Sequence, residues 1–184
     1  SESFLLPENF MIFFGRIEDE VKNLSLLIDG YKRSGLIDNN IKLVILGDGK
    51  DKIKLEEKVQ AMNLLEHIIF LPYTKNPYPI VSKAMCTVLT SHYEGFSIML
   101  AESLSLGTPV ISVNCESGPS EIILDTHNGL LIENNNPDLL AEAMNRFVTD
   151  KELYNHCKKN AKNSVEKFSM ETISKDWERI IESV

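Results

Sequence analysis

Five short apolar runs, each followed by glycine, proline or other loop residues, constrain this chain more than anything else in it. FMIFF at 10–14 ends at Gly15-Arg16, and IKLVIL at 41–46 stops at Gly47-Asp48-Gly49. His67 to Leu71 stops at Pro72, Ala84 to Leu89 runs into Ser91-His92-Tyr93, and Pro109 to Val113 precedes Gly118-Pro119. Runs this short, without polar alternation, read as strands covered on both faces. A sixth, shorter strand follows the Asn128-Gly129 turn at Leu130 to Ile132. Between the runs lie helical patterns. Leu24, Leu27, Ile28 and Tyr31 share a helix face, 51–63 reads as an exposed helix rich in Lys and Glu, and Pro77 and Pro79 fall in a loop or in the first turn of the next helix. Strands alternating with helices predict an α/β fold: a Rossmann-like parallel sheet of about six strands with helices on both faces.

After residue 135 the pattern is helical. Asn136 suits an N-cap and Pro137 the first helical position, with Leu140, Ala143, Met144, Phe147 and Val148 forming the apolar face. A second helix is predicted over about 151–166 and a last one over about 169–182, carrying the only tryptophan, Trp177. No repeat or linker interrupts the chain, so residues 1–184 read as one domain.

Composition narrows the function. The 184 residues carry 19 basic and 27 acidic side chains, a net charge of −8, which argues against broad nucleic-acid binding. No run approaches the roughly twenty apolar residues of a membrane span. Cys86, Cys115 and Cys157 are few, odd in number and far apart, as in a reducing compartment. No His or Cys spacing suits a metal, and no metal site is predicted.

In an α/β sheet of this kind, ligands bind at the carboxyl ends of the strands, where strand order reverses. The glycine and polar punctuation therefore gathers on one edge. The densest stretch there is EGFSIMLAESLSLGTP, Glu94 to Pro109, with carboxylates at Glu94 and Glu102. The turn Gly95-Phe96-Ser97 leaves N–H groups free at the start of a helix through Ile98, where an anion is favoured. Glu102 lies among Ile98, Met99, Leu100, Leu104 and Leu106, and burying it there requires a partner. On residue types alone, Ser97 also suits a plain N-cap and Glu102 a half-exposed position under a loop.

With these loops in order, the chain resembles the C-terminal, donor-binding half of a retaining GT-B glycosyltransferase of the group 1 family, also called glycosyltransferase family 4. The resemblance rests on Gly15-Arg16 with Lys22-Asn23, the GDG turn, Glu94 and Glu102 seven residues apart, LGTPVI at 106–111, Gly118-Pro119-Ser120-Glu121-Ile122-Ile123 and Asn128-Gly129-Leu130-Leu131. It implies that Gly15, Arg16 and Lys22 hold the diphosphate of a nucleotide-sugar donor, and that Arg16 and Lys22 stabilise it as it departs. Glu102 would accept hydrogen bonds from the ribose. Glu94 would face the sugar. The backbone of Gly95, Phe96, Ser97 and Ile98 would bind phosphate, and Tyr73 would lie beside the base.

The chemistry implied is sugar transfer with retention, needing no metal and no cofactor beyond the donor. The leaning is to a UDP-linked hexose or N-acetylhexosamine and to bacterial polysaccharide synthesis. A glycan or lipid-linked acceptor would be held by an N-terminal domain that this sequence lacks. The isolated half would then bind donor weakly and transfer little, and the helix bearing Phe168 and Trp177 would leave an apolar face exposed. The implied location is the cytoplasm, with any membrane contact made through the missing half. Lys22 stands six residues after Arg16, where many relatives have five, and Ser97 stands where many have Gly or Pro. GPSEII replaces a commoner GGxxE form. A sugar-nucleotide epimerase of the same architecture and a non-catalytic nucleotide-binding module stay open as alternatives. A dinucleotide-binding domain is disfavoured, because Gly15-Arg16-Ile17-Glu18 is not GxGxxG.

Overall fold

The computed structural model describes residues 4–182. One six-stranded parallel sheet runs through it. In chain order its strands are β1 (Phe10–Phe14), β2 (Lys42–Leu46), β3 (Ile68–Leu71), β4 (Thr87–Leu89), β5 (Val110–Asn114) and β6 (Gly129–Glu133). In space the order is β3-β2-β1-β4-β5-β6, so the direction of winding reverses between β1 and β4. The expected Rossmann-like α/β sheet is therefore the fold observed.

The lack of polar alternation has a direct cause. Met11 and Phe13 of β1 enter one core with Leu43 and Ile45 of β2, while Phe10, Ile12 and Phe14 enter a second core with Val44 and Leu46. Both sheet faces are covered, so Phe10–Phe14 and Leu43–Leu46 are apolar on either side. The first core is completed by α2 (Leu24–Arg33) and by α7 (Pro137–Thr149), which pack on each other where Gly30 meets the side chain of Leu140 and which bury Leu27, Tyr31, Leu140 and Phe147 in that core. Asn136 caps α7 as the sequence predicts, accepting from the N–H groups of Asp138 and Leu139.

Two boundaries differ from expectation. The first helical stretch is split into α1 (Asp19–Lys22) and α2, with Asn23 between them in the left-handed region at φ 49°. Asn adopts that region more readily than most residues. The hydroxyl of Thr90 donates to the carbonyls of both Lys22 and Asn23, tying the break to the end of β4. The fourth strand begins at Thr87 rather than Ala84. Ala84 still donates its N–H to Val81 in the turn after α4 (Tyr78–Val81), so the chain straightens late.

The remaining helices are α3 (Lys52–Ala61), α5 (Ile98–Ser105), α6 (Pro119–Ile122), α8 (Lys151–Ser164) and α9 (Met170–Glu182), with a 3-10 turn at Glu166–Phe168 before α9. Asn128 of the NG turn is wholly buried. It accepts from the N–H of Leu124 and donates to the carbonyl of Ile122 and the hydroxyl of Ser164, so this landmark joins α6 to α8.

Candidate functional site

The loops after β1, β2 and β3 meet at the carboxyl edge of the sheet, as the punctuation predicts. Gly47 explains the GDG turn: its φ is +149°, and a Cβ there would strike the carbonyl oxygen of Gly15. Backbone bonds lace the two loops together, from Gly15 N–H to Leu46 and from Ile17 N–H to Asp48 at 2.8 Å. The effect is to hold Arg16 out at the rim. Its side chain is 73% exposed and has one long contact, 3.6 Å to Glu18.

A cavity of about 370 Å³ opens beside these loops, lined by Gly15, Arg16, Asp48, Tyr73, Tyr78 and Glu102 among others. Helical periodicity explains why Glu102 reaches it. On α5, Leu100, Ser103 and Leu104 turn into the core, leaving Ile98, Ala101, Glu102 and Ser105 on the opposite face. The apolar neighbours seen in the sequence therefore do not bury Glu102, which is half-buried. It does have a partner: the Tyr78 hydroxyl donates to its Oε1 at 2.8 Å. That hydrogen bond, and then the carboxylate charge, raise the pKa of the Tyr78 phenol above its ordinary value.

Glu94 sits in a different setting, on the β4 side of the reversal. Its side chain is only 10% exposed, and its Oε1 accepts from Lys22 Nζ and from the Ser91 hydroxyl, both at 2.7 Å. The structure thus brings Lys22 together with Glu94, while Arg16 and Tyr73 share the adjoining cavity with Glu102. Lysine carries three donors, so the pairing leaves others for a ligand.

Between the two carboxylates runs the turn 95–97. Among the described residues, the N–H groups of Phe96, Ser97 and Ile98 have no protein acceptor. Ser97 occupies the N-cap position of α5 with a buried side chain, yet its hydroxyl makes no capping bond. Ser97 thus holds the N-cap position without the capping bond, and the helix start keeps its donors. Phe96 lies edge-on to Phe168 at 4.9 Å between ring centres, which fastens the turn to the C-terminal segment.

The turn is also held from behind. Ser117 Oγ donates to the Glu94 carbonyl, and Gly118, at φ +83°, lies so close that a Cβ would strike the Gly95 carbonyl oxygen. The GPSEII landmark is thus a brace for the Glu94 turn. Ser91, Ser117 and Tyr78 carry no motif of their own in the sequence. The one signal for Tyr78 was its position between Pro77 and Pro79, which reads equally well as loop punctuation.

Comparison with known proteins agrees with this architecture. The family described as "Glycosyl transferases group 1" matches residues 2–164. The N-acetylgalactosamine-N,N'-diacetylbacillosaminyl-diphospho-undecaprenol 4-alpha-N-acetylgalactosaminyltransferase of Campylobacter jejuni is 33% identical over 175 residues, covering 95% of this chain and 47% of that protein. The poly(ribitol-phosphate) alpha-N-acetylglucosaminyltransferase of Staphylococcus aureus is 31% identical over 163 residues, covering 88% of this chain and 33% of that protein. The chain thus spans about half or less of the length of these curated relatives. Among solved structures, a variant of S. aureus TarM in complex with fondaparinux, alpha-GlcNAc-glycerol and UDP matches with a TM-score of 0.86 at 29% identity, over 94% of this chain and 35% of that one. The C-terminal domain of the group 1 protein LpcC from Francisella tularensis matches with a TM-score of 0.76 at 25% identity, over 88% of this chain and 86% of that domain.

Proposed function

The chain belongs to the group 1 glycosyltransferases, and from that premise we propose that it is the donor-binding half of a retaining enzyme. The donor is a UDP-linked hexose or N-acetylhexosamine, and the acceptor is a glycan or lipid-linked glycan. UDP is favoured because it is bound in the similar TarM complex. The N-acetylhexosamine is favoured by the names of the Campylobacter and Staphylococcus relatives.

The observation that carries the reading is the order of groups along the sheet edge. In this reading the nucleoside takes the 370 Å³ cavity that Tyr73 and Glu102 line, with the base beside Tyr73 and the ribose hydroxyls on Glu102. The diphosphate follows, on the unengaged N–H groups of Phe96, Ser97 and Ile98 and between Arg16 and Lys22. The sugar comes last, beside Glu94. The Lys22–Glu94 pair, 2.7 Å apart, puts a cation and a carboxylate side by side, as the junction of a phosphate with a sugar requires.

As the bond from the anomeric carbon to the diphosphate breaks, Arg16 and Lys22 take up the charge on the leaving group, and Glu94 faces the positive charge on the sugar. An oxygen of the leaving phosphate takes the proton of the acceptor hydroxyl, whose oxygen bonds to the anomeric carbon on the face the phosphate leaves, and this retains configuration. The two cations make a metal unnecessary. The acceptor is held by a further domain. The face of α9 bearing Met170, Ile173, Trp177 and Ile181, all exposed, is the surface that docks against it.

Calorimetric titration with UDP, GDP and ADP tests the donor site. UDP binds best, and Glu102→Ala and Arg16→Ala each weaken it about tenfold or more. Equal affinity in both variants would remove the assignment. Proton NMR of the product formed by the full-length enzyme, in chelator, tests retention and the dispensability of metal together.

A further inference from the structure

Resting on the donor-site reading above, we propose that Tyr78 is a positioning residue for donor recognition: its hydroxyl holds the Glu102 carboxylate in the plane that accepts both ribose hydroxyls. Three observations carry this. The Tyr78 hydroxyl donates to Glu102 Oε1 at 2.8 Å, and both side chains line the same cavity. Tyr78 is itself held in place. Pro77 and Pro79 restrict the backbone on either side, Ile80 and Val81 are buried directly after it, and the Thr108 hydroxyl donates to the Val81 carbonyl at 3.0 Å. Glu102, by contrast, sits on the solvent-facing side of α5 with no other side-chain partner among the described residues, and without Tyr78 its terminal torsion turns freely.

The acceptor count fits. An ionised carboxylate offers about four acceptor sites. Tyr78 occupies one on Oε1, and the remaining sites take the two adjacent hydroxyls of a ribose. Tyr78 needs no contact with the nucleotide to act. It removes the rotational freedom that Glu102 would otherwise lose on binding. The recognised group is the vicinal diol of a ribonucleotide, so the tyrosine contributes to discrimination for ribose rather than for the base.

The test uses this chain, calorimetry, and two probes for each base: UDP, GDP and ADP, and their 2′,3′-dideoxy forms. The readout is the ratio of affinities between ribo and dideoxy forms. General damage to the site moves both affinities, whereas loss of positioning moves only the ratio. Tyr78→Phe keeps the ring and its packing, and is expected to lower the ratio about fivefold with dideoxy binding unchanged. In a Glu102→Ala background the same change has no further effect. An unchanged ratio in Tyr78→Phe would overturn the proposal while leaving the donor site intact. So would a drop that persists without Glu102, because the tyrosine would then be acting by itself. A full-length enzyme that binds none of the three nucleotides would overturn the donor-site reading, and the proposal with it.

Discussion

The two carboxylates of the E-x7-E stretch are of one residue type and lie in unlike surroundings. Glu94 is 10% exposed and paired with Lys22 and Ser91, while Glu102 is half-buried and paired with Tyr78. Their substitutions therefore separate. Glu94→Gln is expected to leave UDP affinity within about threefold and to lower the full-length enzyme's turnover by about a hundredfold, on the scale of a lost electrostatic contact to the transition state. Calorimetry and initial rates on the same variant check this. The glycines separate as well. Gly118→Ala drives a Cβ into the Gly95 carbonyl at a φ that disfavours it, and is expected to cost about 1–3 kcal/mol. Gly95→Ala meets nothing within 4 Å and is expected to leave the melting temperature nearly unchanged. Thermal unfolding of the two variants distinguishes the crowded glycine from the open one. Glu102 was legible in the sequence as a carboxylate that needs a partner, though the helix turns most of its apolar neighbours away from it. The partner of Lys22 was not, since Glu94 lies 72 residues away and meets it only once β1 and β4 are neighbours.

At the scale of elements, the strands were the most legible feature, because each is a short apolar run that ends where a loop must turn, and the central ones are buried on both sides. The split between α1 and α2 was not legible. It depends on Asn23 being held by Thr90 from the far side of the reversal. The α2–α7 pair carries much of the core. Phe147 is 2% exposed and edge-on to Tyr154, so Phe147→Ala is expected to cost about 3–5 kcal/mol in chemical denaturation. The lost cap in Asn136→Ala costs about 1 kcal/mol. The helices also fix the response to alkali. Burial pushes the Cys157 thiol from about 9 up to about 11, and the Tyr154 phenol from about 10 up to about 12. Both folded-state values lie above the unfolded ones, so the charged forms are disfavoured in the native state. Their stabilisation is complete below about pH 9 and is lost as pH rises through 11 to 12. Denaturation midpoints between pH 8 and 11.5 are expected to fall, and Cys157→Ala to flatten the early part of the decline.

At the scale of the whole chain, one parallel sheet gathers its loops at the carboxyl edge, and one helix face is left apolar. Among the described residues, no helix is long and apolar enough to cross a membrane. Helix α9 instead presents Met170, Ile173, Trp177 and Ile181 along one side, with Trp177 62% exposed. Trp177→Ala is expected to change stability by no more than about 0.5 kcal/mol, in contrast to Phe147→Ala. The position of the donor on the sheet edge is the claim on which the rest depends, and amide NMR of the labelled chain titrated with UDP tests it most directly. The account predicts that the largest shifts fall on Gly15, Gly47, Phe96, Ser97 and Ile98, with the backbone around Gln60 and Leu65 at the β3 side unmoved. Saturable shifts confined to the backbone around Gln60 and Leu65, or no shifts at millimolar UDP in the full-length protein, would contradict it.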